Sequence, residues 1–127
     1  GYYDTPVEEA LPVTCLKGAD DRVEMPEGAA VQVMVKGHPV LEGIPWEKAP
    51  GFEGFNKIIP KQEAEVLATV GDDEKQYPLV VTWEYGKGRS MAFASDCSPH
   101  WAASFQAWEY YGQFWCQALE WLGKAEK

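Results

Sequence analysis

Two apolar runs, Pro78 to Tyr85 and Arg89 to Ser95, stand on either side of Gly86-Lys87-Gly88, and this pair constrains the fold more than any other feature of the chain. Glycines at both ends of so short a link permit positive φ, which is what a tight hairpin turn demands. The spacing predicts two adjacent antiparallel strands. Leu79-Val80-Val81 and Met91-Ala92-Phe93-Ala94 carry no polar side chain, and strands of that kind are usually covered on both faces.

The rest of the sequence offers little to cover them with. From Ser104 to Leu122, stopped by Gly123, the residues Trp108, Tyr111, Trp115, Ala118 or Leu119, and Leu122 recur at helical spacing. Phe105, Tyr110, Phe114 and Trp121 widen that apolar surface beyond one stripe. Near the start, Thr5 as N-cap, Pro6 at the first helical position and Glu8 in a capping box predict one short turn, ended by Pro12. Between these lie an expected strand at Leu11 to Leu16, a polar turn-rich stretch from Gly18 to Glu27, and a strand from Ala29 to Val35. A loop with one short turn follows from Val40 to Phe52, then a short strand at Phe55 to Ile59 and a clearer one at Ala64 to Val70. The acidic turn Gly71-Asp72-Asp73-Glu74 closes that series. One long helix and one short turn are too few for a sheet with two apolar faces. One face is therefore expected to lack cover, so the chain is expected to bind a further segment, pair with a copy of itself, or aggregate.

Composition narrows the function. A length of 127 residues, 46% of them hydrophobic and with six Trp, six Tyr and five Phe, suits a single domain over 1–127. A formal charge of -9 argues against nucleic acid, which needs clustered Lys and Arg. No apolar run approaches the ~20 residues of a membrane span, and Gly1-Tyr2-Tyr3-Asp4 does not open as a signal peptide does. Cys15, Cys97 and Cys116 are scattered and form no CxxC pair. That argues against structural zinc and against a disulfide framework, and a reducing, cytoplasmic setting is the expectation. Cys15 and Cys116 read as small buried hydrophobes. No cofactor is implied.

The strings TPVEEALPV (5–13), DDRVEMPEG (20–28), HPVLEGIP (38–45), AEVLATVGD (64–72), PLVVTWEYGKGRSMAFASDCSPHW (78–101) and the closing WLG (121–123) resemble the putative glutamine amidotransferase-like family, a branch of the class I glutamine amidotransferase-like superfamily. The resemblance implies an α/β architecture: the C-terminal part of a flavodoxin-like domain, with a mixed sheet, a β-hairpin and a closing C-terminal helix. It also implies a complementary N-terminal half bearing the elbow with the nucleophilic cysteine, this chain beginning after that elbow. The missing helices would belong to that half. The expected partners are thus that half of the same fold or a homo-oligomer, with a small-molecule ligand also open, and no nucleic acid or membrane.

An amidotransferase hydrolyses the glutamine side-chain amide through a thiolate, with a His as base and a carboxylate orienting the His. The resemblance places that His just after the last core strand, at His100. The carboxylate that would follow two residues later is replaced by Ala102. Cys97, on the same loop, is the stand-in nucleophile, but no Lys or Arg stands near to lower its pKa, and Asp96 opposes it. Asp96 reads first as a cap on the following turn and second as catalytic. Trp101 and Ser98 are the candidate ligand-binding positions, and Trp46, Trp83 and Trp101 are candidate platforms for a sugar. His38 with His100, Asp96 and Cys97 is a weak metal candidate. Asp20-Asp21-Arg22-Val23-Glu24 reads as a solvated turn with Arg22 paired locally, or as a buried ion pair or subunit contact.

Three functional readings stay open: a fold-completing, oligomerising or ligand-binding module without glutaminase activity; an amidotransferase or hydrolase whose nucleophile lies in the other half; and a carbohydrate-linked accessory domain.

Overall fold

The computed structural model describes residues 2–18 and 20–124. Strands dominate, in an antiparallel sheet of five ordered β3-β2-β5-β6-β7 and a two-stranded ribbon β1-β4. The strands are β1 (Val13–Cys15), β2 (Arg22–Val33), β3 (Phe52–Asn56), β4 (Ile58–Pro60), β5 (Glu65–Gly71), β6 (Gln76–Tyr85) and β7 (Gly88–Phe93). The helices are α1 (Pro6–Ala10), α2 (Ala103–Gln106) and α3 (Tyr111–Gly123).

The hairpin is present, with Tyr85 opposite Gly88, so Gly86 and Lys87 make a two-residue turn and Gly88 already belongs to β7. Gly86 has φ +59° and Lys87 is not among the positive-φ residues, the sign pattern of a type II′ turn, whose twist matches that of the flanking strands. Contrary to the expected mixed sheet, every ladder among the described residues is antiparallel. No helix beyond a single 3-10 turn at Trp46–Lys48 connects the described strands, and parallel neighbours need a longer crossover.

The stretch from Gly18 to Glu27 is not the polar turn expected. From Arg22 onward it is strand, because Arg22, Val23, Glu24 and Met25 alternate outward and inward. The presence of Pro26 and Gly28 is accommodated by a register shift between Glu24 and Ala29, with Gly28 at φ +92°. The expected strand at Phe55 to Ile59 is divided between two sheets. Lys57 donates its N–H to the Asp21 carbonyl at 2.8 Å, and the chain then passes to β1, where Ile58 opposes Cys15.

The expected helix from Ser104 to Leu122 is broken at Ala107–Tyr110. Phe105 and Phe114 lie nine positions apart, about two and a half turns of an uninterrupted α-helix, which would aim them in opposite directions. Both are fully buried, with ring centroids 5.8 Å apart. Only a break lets both enter one core, where they meet Trp46, Phe52 and Phe93. The break also resets the helix phase, so Phe114 and Ala118 face the sheet, while Leu119 is 66% exposed. Cys116, between those two inward positions, is exposed rather than buried, and Cys15 is half-buried. Burial pushes the Cys15 thiol up, and the Glu8 carboxylate adds to it.

The second face of the sheet is not bare, which corrects the expectation of an uncovered face. The ribbon β1-β4 and α1 lie across it. Trp83 and Ser90 both donate to the Ala10 carbonyl, at 2.9 and 2.6 Å, and Lys61 sits 4.7 Å over the Trp83 ring. Leu79, Val80, Val81 and Thr82 are consequently buried on both sides. The element that does this is α1, capped by Thr5, which accepts the Glu8 N–H at 3.3 Å, together with strands of only three residues.

Where α3 ends, the His38 side chain, 11% exposed, packs against Trp121 with ring centroids 5.3 Å apart. Its Nδ1 accepts the Val40 N–H at 3.1 Å, and Glu65 stands 3.9 Å from Nε2. Burial holds its pKa below the ordinary value, with Glu65 opposing and Arg89 reinforcing the shift. The unfolded chain then binds the proton more readily, so this contribution to stability is complete above about pH 6.5 and is lost as the pH falls from there through the folded pKa. The melting temperature of the wild type is expected to fall more steeply between about pH 7 and 5 than that of His38→Asn, which retains an acceptor for Val40. Parallel pH profiles for the two proteins would refute this.

Candidate functional site

The curl of the sheet builds the loop from Ala94 to Trp101. Its two ends approach one another, since Asn56 donates its N–H to the Ala94 carbonyl at 2.7 Å and Phe52 meets Phe93 at 5.9 Å. Leaving β7, the chain therefore runs along β3 and is fastened to it at two further points. Ser95 Oγ donates to the Gly54 carbonyl at 2.8 Å, and Glu53 donates its N–H to the Trp101 carbonyl at 2.9 Å.

Between these anchors Asp96 organises the turn. Its Oδ2 accepts the Trp101 N–H at 2.9 Å and lies 3.0 Å from His100 Nδ1. An ionised carboxylate only accepts, so Nδ1 is the donor and the second ring nitrogen, Nε2, keeps its lone pair in neutral imidazole. The imidazole is stacked on Trp101, centroids 5.2 Å apart and planes 27° apart, with the His100 side chain 69% exposed. Trp101 in turn lies against Gly54: a β-carbon there would be 2.5 Å from the indole. Glycine at this position is what lets the ring lie flat on β3.

The cap reading of Asp96 and the pairing with His100 are thus the same interaction. Position 102 lies at 1% exposure within the core beside Phe105, where an ionised side chain would be costly, so the carboxylate partner of His100 comes from four residues before it. The sequence carries this pair as Asp-x-x-x-His across a Ser-Pro turn, a spacing that does not by itself bring the two side chains together.

Cys97 and Ser98 are exposed at the outer bend. The Cys97 carbonyl accepts from the Tyr111 hydroxyl at 3.4 Å, and among the described residues no hydrogen bond joins its thiol to His100. The loop therefore holds an imidazole oriented by Asp96, to which no thiol or hydroxyl among the described residues is hydrogen-bonded. Such a ring can take a proton from a thiol or water brought up to Nε2.

The other candidates are placed elsewhere. His38 lies by Trp121 and Glu65, and no group of three His, Cys, Asp or Glu side chains is assembled for a metal among the described residues. Trp46 is 5% exposed, its Nε1 donating to the Leu41 carbonyl at 3.0 Å, so it is core and not a platform. Trp83 is held beneath Lys61. Among the described residues the acidic run forms no buried ion pair: Asp20 is 93% exposed while it meets Lys57 at 2.8 Å, and Arg22 pairs with Asp21 at 3.7 Å. No helix among the described residues is long and apolar enough to cross a membrane.

A family model described as putative glutamine amidotransferase matches residues 1–124. Among solved structures, the cytoplasmic protein STM1381 from Salmonella typhimurium LT2 is 39% identical, with a TM-score of 0.83 over 95% of this chain and 47% of its own. The cytoplasmic protein STM3548 from Salmonella typhimurium is 37% identical, with a TM-score of 0.85 over 99% of this chain and 48% of its own. The chain thus spans about half the length of each of these relatives. A search of the curated proteins finds no match.

Proposed function

The chain belongs to the family of putative glutamine amidotransferases, and from that premise we propose that it works as one half of an amidotransferase-like domain, the half that carries an oriented histidine and no nucleophile. The observation that carries this reading is the Asp96–His100 pair at 3.0 Å, with Cys97 turned out to solvent and not hydrogen-bonded to the ring. A thiol is activated by a base within hydrogen-bond reach. Here the base is positioned and its nitrogen Nε2 is left for a group from elsewhere.

The length relation supports the same reading, since the two Salmonella proteins are each about twice as long as the part that matches. On this proposal the parallel strands and crossover helices of a flavodoxin-like domain belong to the complementary half, and residues 1–127 form one structural unit within it. Its setting is the cytoplasm, as those two proteins are described. Trp101, stacked on the imidazole, and Ser98, exposed on the same loop, are the positions at which a small ligand would touch this half. A second reading, a hydrolase active once a nucleophile is supplied, is favoured by the same free Nε2 and differs only in what the other half brings. Of the three tryptophans behind the carbohydrate reading, Trp46 lies in the core.

The purified chain is expected to release no ammonia from glutamine above the buffer background. Turnover that Cys97→Ala abolishes would overturn the proposal and make the loop cysteine the nucleophile.

A further inference from the structure

On this half-domain reading, we propose that the open edge of β7 is the seam of the domain: the complementary half adds a strand there and fills the apolar groove beside it. β7 is the last strand of the five. Just past the last printed pair of the ladder, Phe93 opposite Val80, Ala94 donates its N–H to the Leu79 carbonyl at 2.9 Å. By the alternation of an antiparallel ladder, the backbone groups of Ala92 and Ser90 also face β6, and those of Arg89, Met91 and Phe93 face outward. Among the described residues no backbone group pairs with these three.

This edge carries none of the devices that keep a bare strand from pairing. Ser90, Met91, Ala92 and Phe93 include no charge and no proline, and the β6–β7 ladder has no bulge. The charge at its start, Arg89, is committed elsewhere: Nη1 donates to the Trp121 carbonyl at 2.8 Å, Nε lies 3.2 Å from Glu84, and the guanidinium sits 4.5 Å over the Trp121 ring.

Both faces beside the edge are prepared for a neighbour. On the ribbon side, the small residues Ala92 and Ala94 line a groove of about 360 Å³ together with Leu11, Val13 and Ile58, and with Asp21 and Lys57 also on its lining. On the α3 side, Met91 and Phe93 are only half-buried, Phe93 lying 5.3 Å from Trp115. A strand laid along β7 would send alternate side chains to these two apolar surfaces. The occupant is the half of the relatives' length that this chain does not match, since the chain accounts for 47% and 48% of those molecules.

The test co-produces the 127-residue chain with the unmatched half of STM3548 or of STM1381, purifies through a tag on the chain, and follows amide hydrogen exchange. A complex is expected in which the Met91 and Phe93 amides exchange at least ~10-fold more slowly than in the free chain, with Ser90 and Ala92 little changed. Met91→Pro removes an outward N–H without touching the β6 ladder, and such a proline is tolerated at an edge; it should abolish the complex while the chain still melts cooperatively. Ala92→Glu, which puts a charge into the groove, should do the same should the proline variant not fold, and Leu119→Glu on α3 should leave the complex intact. A complex in which the Met91 and Phe93 amides exchange as in the free chain overturns the seam and leaves the half-domain reading standing. No complex with either segment overturns both. Protection of the same amides in the chain alone, rising with concentration, means that a second copy takes the edge and overturns the stated occupant. Ammonia release by the chain alone sinks the half-domain reading without affecting the exchange result.

Discussion

Phe114→Ala is expected to lose about 3–5 kcal/mol of folding stability, as truncation of a buried phenylalanine does. The ring is wholly buried and meets Trp46 at 5.5 Å, Phe93 at 5.7 Å, Phe105 at 5.8 Å and Trp115 at 5.0 Å. It thus links the 3-10 turn, β7, α2 and α3. Against a usual domain stability of ~5–15 kcal/mol the loss is severe. Leu119→Ala, five positions further along the same helix and 66% exposed, should stay within about 0.5 kcal/mol. Urea midpoints for the two variants decide the matter. A cost below about 1 kcal/mol for Phe114→Ala would mean that this aromatic cluster does not hold α3 to the sheet.

Gly54→Ala should cost about 1–3 kcal/mol, the usual range for forcing a group into filled space, and its effect should concentrate on the site. The added carbon would stand 2.5–2.6 Å from three atoms of the Trp101 indole. The ring has to leave β3, and the stack with His100 and the anchors of Asp96 and Glu53 at Trp101 go with it. The expected sign is faster exchange of the Trp101 amide, together with loss of the single His100 tautomer in nitrogen-15 spectra. The test of cause is a double-mutant cycle: in a Trp101→Ala background, Gly54→Ala should be close to neutral. An equal cost in both backgrounds would place the strain in the backbone of β3 and not in the indole.

The parts legible in the sequence were those written in local chemistry. The hairpin could be read because Gly86 meets its φ requirement between two apolar runs, and α1 because Thr5, Pro6 and Glu8 each do a positional task. What escaped was set by distant partners. The alternation of Arg22, Val23, Glu24 and Met25 is short and runs straight into Pro26 and Gly28, so it is the pairing of Arg22–Glu24 with Gly54–Asn56 that makes it a strand. The break before α3 follows from two phenylalanines competing for one core, which a helical period counted along a single segment cannot register. The cover on the second face escaped because three-residue strands bury area only once β1 and β4, far apart in sequence, are joined. At the site, His100 and Asp96 were both singled out, but their contact depends on a loop whose path is fixed by Gly54, a residue with no chemistry of its own.

The ribbon has a consequence for the order of folding. β5, β6 and β7 follow one another within 65–93 and pair as a meander, so their loops close at small entropic cost and early. The ribbon joins Val13 to Pro60 through only three residue pairs, which makes it a late addition and the first cooperative unit to detach. Val13 and Ile58 are also walls of the groove beside β7. The meander can therefore be complete while that wall is still open, and amides of β1 and β4 should exchange through a local opening long before those of β6 report global unfolding.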